Sequence, residues 1–263
     1  MNNSKDIEKK IKNKQENIIA SIVDPLTKKI IKFNLVNDHT LWRAKTLFTK
    51  EPITIKWIRS FTKNSIFFDI GANIGIYSIF SAIINSSKVY SFEPESNNFQ
   101  ILMSNIITNN INKFVSPYQI GISNKTEFTN LNLNNFSPGL SHHTVGENAL
   151  DDTNLKPIYS RFKQGIFSTT LDDLCFKWKF PIPSYIKIDV DGIEYKIIEE
   201  SEKTLGSPKL QSVLIEINEN RIEDRKIIDT LKKNKFQYDK NQVKNSIRKS
   251  GTHEGYSEYL FYK

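Results

Sequence analysis

A chain of 263 residues, 38% of them hydrophobic, is long enough to bury a substantial core and falls within the size of one α/β domain. Its formal net charge of +8 admits a polyanionic partner, but the basic residues are scattered and the chain is crowded with Asn and Ile, a bias that an AT-rich genome produces by itself. The single cysteine, Cys175, excludes an intramolecular disulfide framework and a cysteine-ligated zinc cluster, which fits a reducing compartment.

In chain order, the segment from Asn2 to about Asn17 reads as a polar helix; MNNSKDIEKKIKNKQ alternates charge with isoleucine and lacks the apolar core of a signal peptide. No apolar run reaches the length needed to cross a bilayer, so the expectation is a cytoplasmic protein without a membrane span. IIASIV and KKIIKFNLV flank Asp24-Pro25 and read as a strand pair about a turn, and helical patterns follow at LWRAKTLF and ITIKWIRSF. Residues 1–50 are accordingly read as an N-terminal extension and residues 51–263 as the main domain.

From Ile66 onward, strand and helix patterns alternate. IFFDI reads as a strand, IYSIFSAII as a helix, KVYSFE as a second strand and NFQILMSNIITNN as a second helix after Pro94. FVSPYQIGI reads as a third strand, in which Pro117 implies an edge, a bulge or a late start. After EFTNLNL comes a long polar insertion at about 134–165, with the length of a substrate lid. TTLDDL, the strand SYIKIDV, the helix EYKIIEESEKTL, the strand SVLIEI, a helix around Arg225 to Lys233 and a last strand near Tyr259 complete the chain. This alternation predicts a parallel, doubly wound sheet with helices on both faces, and a ligand crevice beyond the carboxyl ends of its strands.

In FFDIGANIGIY a strand stops and a helix starts with Gly71 and Gly75 on either side of Asn73. Glycines there allow close approach of the backbone to a ligand, Asn tolerates the left-handed region, and free N–H groups at a helix start suit an anion. The pattern departs from G-x-G-x-x-G because position 73 is Asn, and no Lys-Ser or Lys-Thr follows Gly75 as a phosphate loop requires. A bare G-x-x-x-G also occurs in ordinary helix packing. Glu93, however, closes the second strand where a doubly wound sheet places a carboxylate for ribose hydroxyls, although an acid there also suits a helix start with Pro94 in its first turn.

FFDIGANIGIYS, VYSFEPESNNFQILMSNIITNN, STTLDDL and YIKIDVDGIEYKIIEES, in this order, resemble the blocks of the FkbM family of S-adenosylmethionine (SAM)-dependent methyltransferases, over roughly Glu51 to Asn218. The resemblance implies the α/β class I methyltransferase (Rossmann-like) fold, a seven-stranded and mostly parallel sheet with helices on both faces, whose antiparallel strand GYSEYLFYK would supply. It implies SAM as cofactor, with Asp69, Gly71, Ala72, Asn73 and Gly75 around its methionine part and Glu93 on its ribose. Gly121, Ile122 and Ser123 would lie near the adenine. The chain departs from the family at Asp191, where Glu is more usual; the acid is kept and its reach is shorter.

Asp189, Asp191 and Glu194 cluster at the end of SYIKIDV, and Asp189 and Asp191 are candidate catalytic residues, beside a bland reading of Asp191-Gly192 as a turn before a helix. His142, with His143 in the insertion, is the second-choice base; paired histidines in a polar loop are more often solvated. Thr170 and Asp173 read as a helix cap, Asp172 as either part of that cap or a group facing the crevice, and Glu216 as one more strand-end acid. Strand-end acids suit a divalent metal, but nothing demands one.

The resulting expectation is methyl transfer to a hydroxyl of a saccharide, glycolipid or secondary-metabolite-type acceptor, a small molecule or glycan. Nucleic-acid methylation is the alternative, and it lacks its key groups: IDVDG stands where amino-group enzymes have an N/D/S-P-P-Y/F block, and Cys175 follows Leu174 where cytosine-carbon enzymes need Pro-Cys. A non-catalytic SAM-binding protein is the other alternative, and the missing middle glycine disfavours a nicotinamide oxidoreductase.

Overall fold

The computed structural model describes residues 18–133, 135–141, 143–146, 160–249 and 254–263. The expected N-terminal helix, His142 and most of the polar insertion lie outside the described residues.

The chain begins with an antiparallel hairpin, β1 (Ile18–Val23) and β2 (Ile30–Leu35). Its turn closes on the fully buried Asp24, whose carboxylate accepts the Thr27 N–H at 2.9 Å and is held by the Arg59 guanidinium. Helices α1 (Asp38–Lys45) and α2 (Pro52–Arg59) follow. Asn37 caps α1 by accepting the Thr40 N–H at 2.9 Å while the Thr40 hydroxyl accepts the Asn37 N–H, a reciprocal capping box. Pro52 opens α2, where a missing N–H costs nothing.

The main sheet begins with β3 (Ile66–Ile70), α3 (Ile76–Asn85), β4 (Lys88–Phe92), α4 (Ser96–Thr108) and β5 (Val115–Tyr118). A side excursion contributes β6 (Gly121–Ile122), β7 (Glu127–Leu133), β8 (His143–Val145) and β9 (Phe162–Thr169). After a π-helical turn (Asp173–Lys177), the chain resumes with β10 (Tyr185–Ile188), α5 (Glu194–Glu199), α6 (Glu202–Gly206), β11 (Ser212–Asn218) and α7 (Ile222–Lys233). It finishes with β12 (Gln237–Tyr238), α8 (Lys240–Ser246) and β13 (Tyr256–Tyr262).

The sheet has seven strands in the order β12-β13-β11-β10-β3-β4-β5. All pairings are parallel except those of β13 with β11 and β12. An α/β sheet wound outward in both directions from β3 and carrying one reversed strand is the class I methyltransferase arrangement, and GYSEYLFYK is the reversed strand, as the sequence suggested. Strand order reverses between β3 and β10, so the crevice expected of such a sheet opens at their carboxyl ends.

Each face of the sheet has its own core. Phe67 of β3 packs with Ile58 of α2, Ile79 and Phe80 of α3 and Leu102 of α4, and the same cluster includes Ile31 and Phe33 of the hairpin and Ala44 of α1. Phe68 and Ile70 face the other way, against Leu171, Ile197 of α5, Leu205 of α6 and Ile227 of α7. The period-two alternation of IFFDI therefore serves two apolar faces at once.

The structure departs from the sequence reading at several elements. FVSPYQIGI is two strands in two sheets: Val115–Tyr118 forms the outer edge of the main sheet, where Pro117 faces Ser91 and needs no second partner, whereas Gly121–Ile122 pairs with β9. The insertion contributes regular structure, because β6, β9, β7 and β8 form a second, four-stranded sheet and β9 already starts at Phe162. The short β12 and α8 gave too little pattern to be predicted.

Candidate active site

A cleft of about 410 Å³ opens beyond the carboxyl ends of β3, β4 and β10. Gly71, Ala72, Asn73, Glu93, Gly121, Ile122, Asp189 and Asp191 line it. The structure therefore brings these expected residues into one cavity. Asp69, Gly75 and Ser123 are not among the lining residues, and each has a different task.

Asp69 is 1% exposed, and its carboxylate receives hydrogen bonds from the Ser78 hydroxyl and the Ser78 N–H, fastening the start of α3 to β3. Burial pushes its carboxyl up to about 6. Gly75 adopts φ +85 at the N-cap of α3, and a Cβ there would stand 2.4 Å from the Leu102 side chain. Ser123 is buried, its N–H bonded to the Thr169 carbonyl at 2.9 Å.

The turn itself differs from the expectation in its physical reason. Gly71, at φ +79, would place a Cβ 1.8 Å from the carbonyl oxygen of Asp189, so the glycine lets the ends of two neighbouring strands meet. The N–H groups of the turn are also engaged internally: Gly71 and Ala72 donate to the Phe92 carbonyl at 2.9 and 3.1 Å, and Gly75 to Ala72 at 2.8 Å. Donors for an anion lie one step further on, at Ile76 and Tyr77, which line the cleft and precede the first i→i−4 bond of α3, from Ile79 to Gly75. Asn73 does take the left-handed conformation, at φ 51.

Glu93 is 5% exposed and locks the turn, because its carboxylate accepts the Asn73 N–H at 2.7 Å and the Glu95 N–H at 2.9 Å. Burial pushes its carboxyl up to about 8 despite these bonds. Each carboxylate oxygen has a second lone pair, so capacity remains for hydroxyl donors from the cleft.

A roof covers this end. Asn98 of α4 accepts the Gly139 N–H at 2.7 Å and donates to the Leu140 carbonyl at 3.1 Å, and Asn73 donates to the same carbonyl at 2.8 Å. From the other side, Asn37 donates to the Pro138 carbonyl at 2.8 Å and Arg43 to the Gly139 carbonyl at 2.6 Å. Residues far apart in sequence thus hold segment 137–141 over the cavity.

The opposite end is built from charge. Lys187 points inward from the middle of β10, 2% exposed, with its ammonium 2.6 Å from Asp189 and 3.8 Å from Glu51. Burial opposes its charge, but the carboxylates of Asp189, Glu51 and Asp69 hold its pKa above the usual lysine range. Against the cost of burial, Lys187, Lys50 and Arg43 hold the Asp189 carboxyl well below the usual carboxylate range. Asp189 is therefore a permanent anion in an ion pair and a poor proton acceptor.

Asp191, at φ 59, accepts the His143 N–H at 3.4 Å, which ties the end of β10 to β8. Glu194 turns back on its own loop, accepting the Val190 and Gly192 N–H groups at 3.2 Å each. Burial and the neighbouring Asp224 push its carboxyl up to about 8. Thr170 caps the π-helical turn by accepting the Asp173 N–H at 3.0 Å, as the sequence suggested. Asp172 faces α6 instead of the cleft, accepting the Thr204 N–H at 2.8 Å.

Glu216 does line the cleft, beside Arg248, to which it is ion-paired. Sequence reasoning missed Trp42, Arg43, Lys50, Tyr77 and Arg248, which also line it. A lysine inside an otherwise apolar buried strand was the one available signal for the charged end.

The family model described as "Methyltransferase FkbM domain" matches residues 69–238. The hexuronic acid methyltransferase AglP of Haloferax volcanii is 20% identical over 187 residues, covering 71% of this chain and 70% of that protein. Among solved structures, methyltransferase FkbM from Methylobacillus flagellatus KT aligns over 87% of this chain with 16% identity and a TM-score of 0.49, and the chain spans 56% of that one. Precorrin-6y C5,15-methyltransferase from Geobacter metallireducens GS-15 aligns over 83% of this chain and 91% of its own with 10% identity and a TM-score of 0.46. Among the described residues no helix is long and apolar enough to cross a membrane.

Proposed function

The chain belongs to the FkbM methyltransferase family and is a methyltransferase, and from that premise we propose that it transfers the methyl group of SAM to a hydroxyl of a saccharide-type acceptor. When bound, SAM supplies an electrophilic methyl group on a sulfonium whose sulfur leaves neutral. The protein's part is to align, to exclude water and to accept a proton; alignment alone is worth on the order of 7–11 kcal/mol.

The observation that carries this reading is the pairing of the Gly71–Gly75 turn with Glu93 inside a cavity of about 410 Å³. That volume lies within the range of small-molecule sites. Glu93 would accept the ribose hydroxyls, and Phe92, Ile120 and Ile122 would offer an apolar wall to the adenine. The methionine carboxylate would meet the N–H groups of Ile76 and Tyr77 at the positive end of α3. Asp69, Gly75 and Ser123 support this binding from beneath, by fixing α3 and β6.

A saccharide acceptor is favoured by the similarity to a hexuronic acid methyltransferase. It is also favoured by the lining of the charged end, where Trp42 and Tyr77 offer faces for a sugar ring and Arg43 offers guanidinium donors. Among the strand-end acids, Asp189 and Asp191 act here by shaping the field and the loop around the acceptor.

Calorimetric titration with SAM and S-adenosylhomocysteine, followed by transfer of labelled methyl to a panel of methyl glycosides of neutral hexoses and hexuronic acids, tests the proposal. The expected result is micromolar-range binding and a labelled glycoside. Absence of binding removes the cofactor assignment, and binding with no label on any glycoside removes the acceptor.

A further inference from the structure

On the methyl-transfer reading above, we propose that Glu216 is the catalytic base that takes the acceptor's hydroxyl proton, and that Arg248 is its positioning residue. The argument starts from strand register. Ile70 of β3, Ile188 of β10 and Ile215 of β11 stand side by side, so Gly71, Asp189 and Glu216 are the next residues along three adjacent strands. In adjacent parallel strands, paired residues point to the same face, and Lys187 is paired with both Asp69 and Leu214. Glu216, two residues past Leu214, therefore shares a face with Asp189 and stands two strands from the glycine turn, roughly 10 Å away.

The other acids at this rim hold the protein's own groups: Asp191 accepts the His143 N–H and Glu93 the Asn73 and Glu95 N–H groups. Asp189 is bound at 2.6 Å to Lys187, and Glu194 accepts N–H groups of its own loop. Glu51 accepts from Lys50 at 2.6 Å, and Glu258, paired with Glu216 in the antiparallel register, accepts the Thr54 hydroxyl at 2.7 Å. Glu216 combines a place on the cleft wall, 14% exposure and, among the described residues, an ion pair with Arg248 alone. Arg248 is in turn anchored by its own main chain, which bonds to Tyr256 and Gly255 at 2.9 Å each, so its guanidinium aims the carboxylate from a fixed support.

The surrounding charges suit a base. Burial, Asp189 and Glu51 push the Glu216 carboxyl up to about 7, against the pull of Arg248 and Lys187. A group that titrates there is ionised often enough to act and binds a proton strongly enough to take one. In the step itself the acceptor O–H proton passes to Glu216 while the new O–C bond forms. The C–S bond of the sulfonium donor breaks, and its electron pair remains on sulfur.

Two measurements on the full chain decide the matter. The first compares calorimetric affinities for the cationic SAM and the neutral S-adenosylhomocysteine from pH 6 to pH 8; their ratio reports a nearby carboxylate and cancels effects common to both ligands, including those of Glu93. The ratio is expected to rise by about tenfold across that range in the wild type and by clearly less in Glu216→Gln, where Glu258, pushed by burial up to about 7, still titrates. Arg248→Met should move the midpoint of the rise to higher pH, a change that a purely structural role would not cause. The second uses labelled methyl transfer to the glycoside panel: Glu216→Gln should keep S-adenosylhomocysteine affinity and lose roughly a hundredfold or more in rate, with Glu216→Asp recovering part of it.

Transfer by Glu216→Gln within about threefold of wild type, or an equal rise of the affinity ratio in both proteins, overturns the proposal. If SAM binds but no glycoside is labelled, the acceptor reading fails and the affinity ratio alone decides Glu216. If neither ligand binds the wild type, the cofactor reading fails and takes Glu216 with it.

Discussion

At one end of the cleft, position is set by main chain: Gly71 abuts the Asp189 carbonyl, Glu93 ties down the Asn73 N–H, and Asn98 and Asn73 hold the roof at Leu140. At the other end, position is set by charge, with Lys187 between Asp189 and Glu51 and Arg248 against Glu216. The first kind of construction tolerates no added atom, whereas the second tolerates changes of shape but not of charge balance. The two constructions suit different tasks: the first holds a ligand in one geometry, and the second, on the reading proposed above, takes a proton from the acceptor.

The largest effect should come from adding one carbon at the rigid end. Gly71→Ala places a Cβ within 1.8 Å of a backbone oxygen at a φ of +79, and it is expected to cost about 4 kcal/mol or more in urea unfolding. A loss below about 1 kcal/mol would show that this end is softer than its geometry implies.

Removing the central cation at the other end comes next. Lys187→Met leaves the partly exposed Asp189 without its ion-pair partner and the buried Glu51 with Lys50 alone, so a loss of about 2–3 kcal/mol is expected, read from the same unfolding curves. Adding Asp189→Asn should return part of that loss, since the second change removes an unpaired charge. If the double variant is as unstable as the sum of both changes, charge balance is not what organises this end.

Glu93→Gln tests the junction of main chain and ligand, with a weakening of S-adenosylhomocysteine binding by about thirtyfold, near 2 kcal/mol. The sign of its pH dependence follows from the raised carboxyl. Hydroxyl donors favour the ionised form, so binding lowers the carboxyl from about 8 and releases a proton. Affinity in the wild type should therefore rise from pH 6.5 toward pH 8 and level off above it, and the variant should lose this rise. Buffers of different ionisation enthalpy measure the released proton directly.

The smallest effect is expected at the roof. Asn98→Ala removes the bonds to Gly139 and Leu140, costing about 1 kcal/mol and speeding protease cleavage within 137–141. Unchanged cleavage would mean that Asn37, Asn73 and Arg43 suffice.

The rigid end was largely legible in the sequence, because its pieces are short and local: a strand running into Gly71-Ala-Asn-Ile-Gly75, and an acid closing the next strand. The reason first attached to the glycines was incomplete, since the space they spare is taken up by Asp189 and Leu102 of the protein itself. The charged end was hardly legible. Glu51, Lys187 and Arg248 come from a helix start, the middle of a strand and the segment before the last strand, and no local pattern links them. Strand β9 escaped for a related reason, as FKQGIFST follows a long polar stretch and mixes both kinds of residue. The alternation that fixed the main sheet has no counterpart where contacts are long-range.

The pairing of Arg248 with Glu216 and of Glu51 with Lys187 reaches past both limits of the span 69–238 that the family model recognises. A fragment trimmed to those limits would keep every glycine of the turn and every strand-end acid, yet forfeit Lys50, Glu51 and Arg248 from the salt-bridge network, together with β13 and most of β3. Such a piece would be a poor surrogate for the enzyme, inert for reasons unrelated to methyl donors. Boundaries chosen for expression should therefore follow the wiring of the ions instead of the extent of recognisable homology.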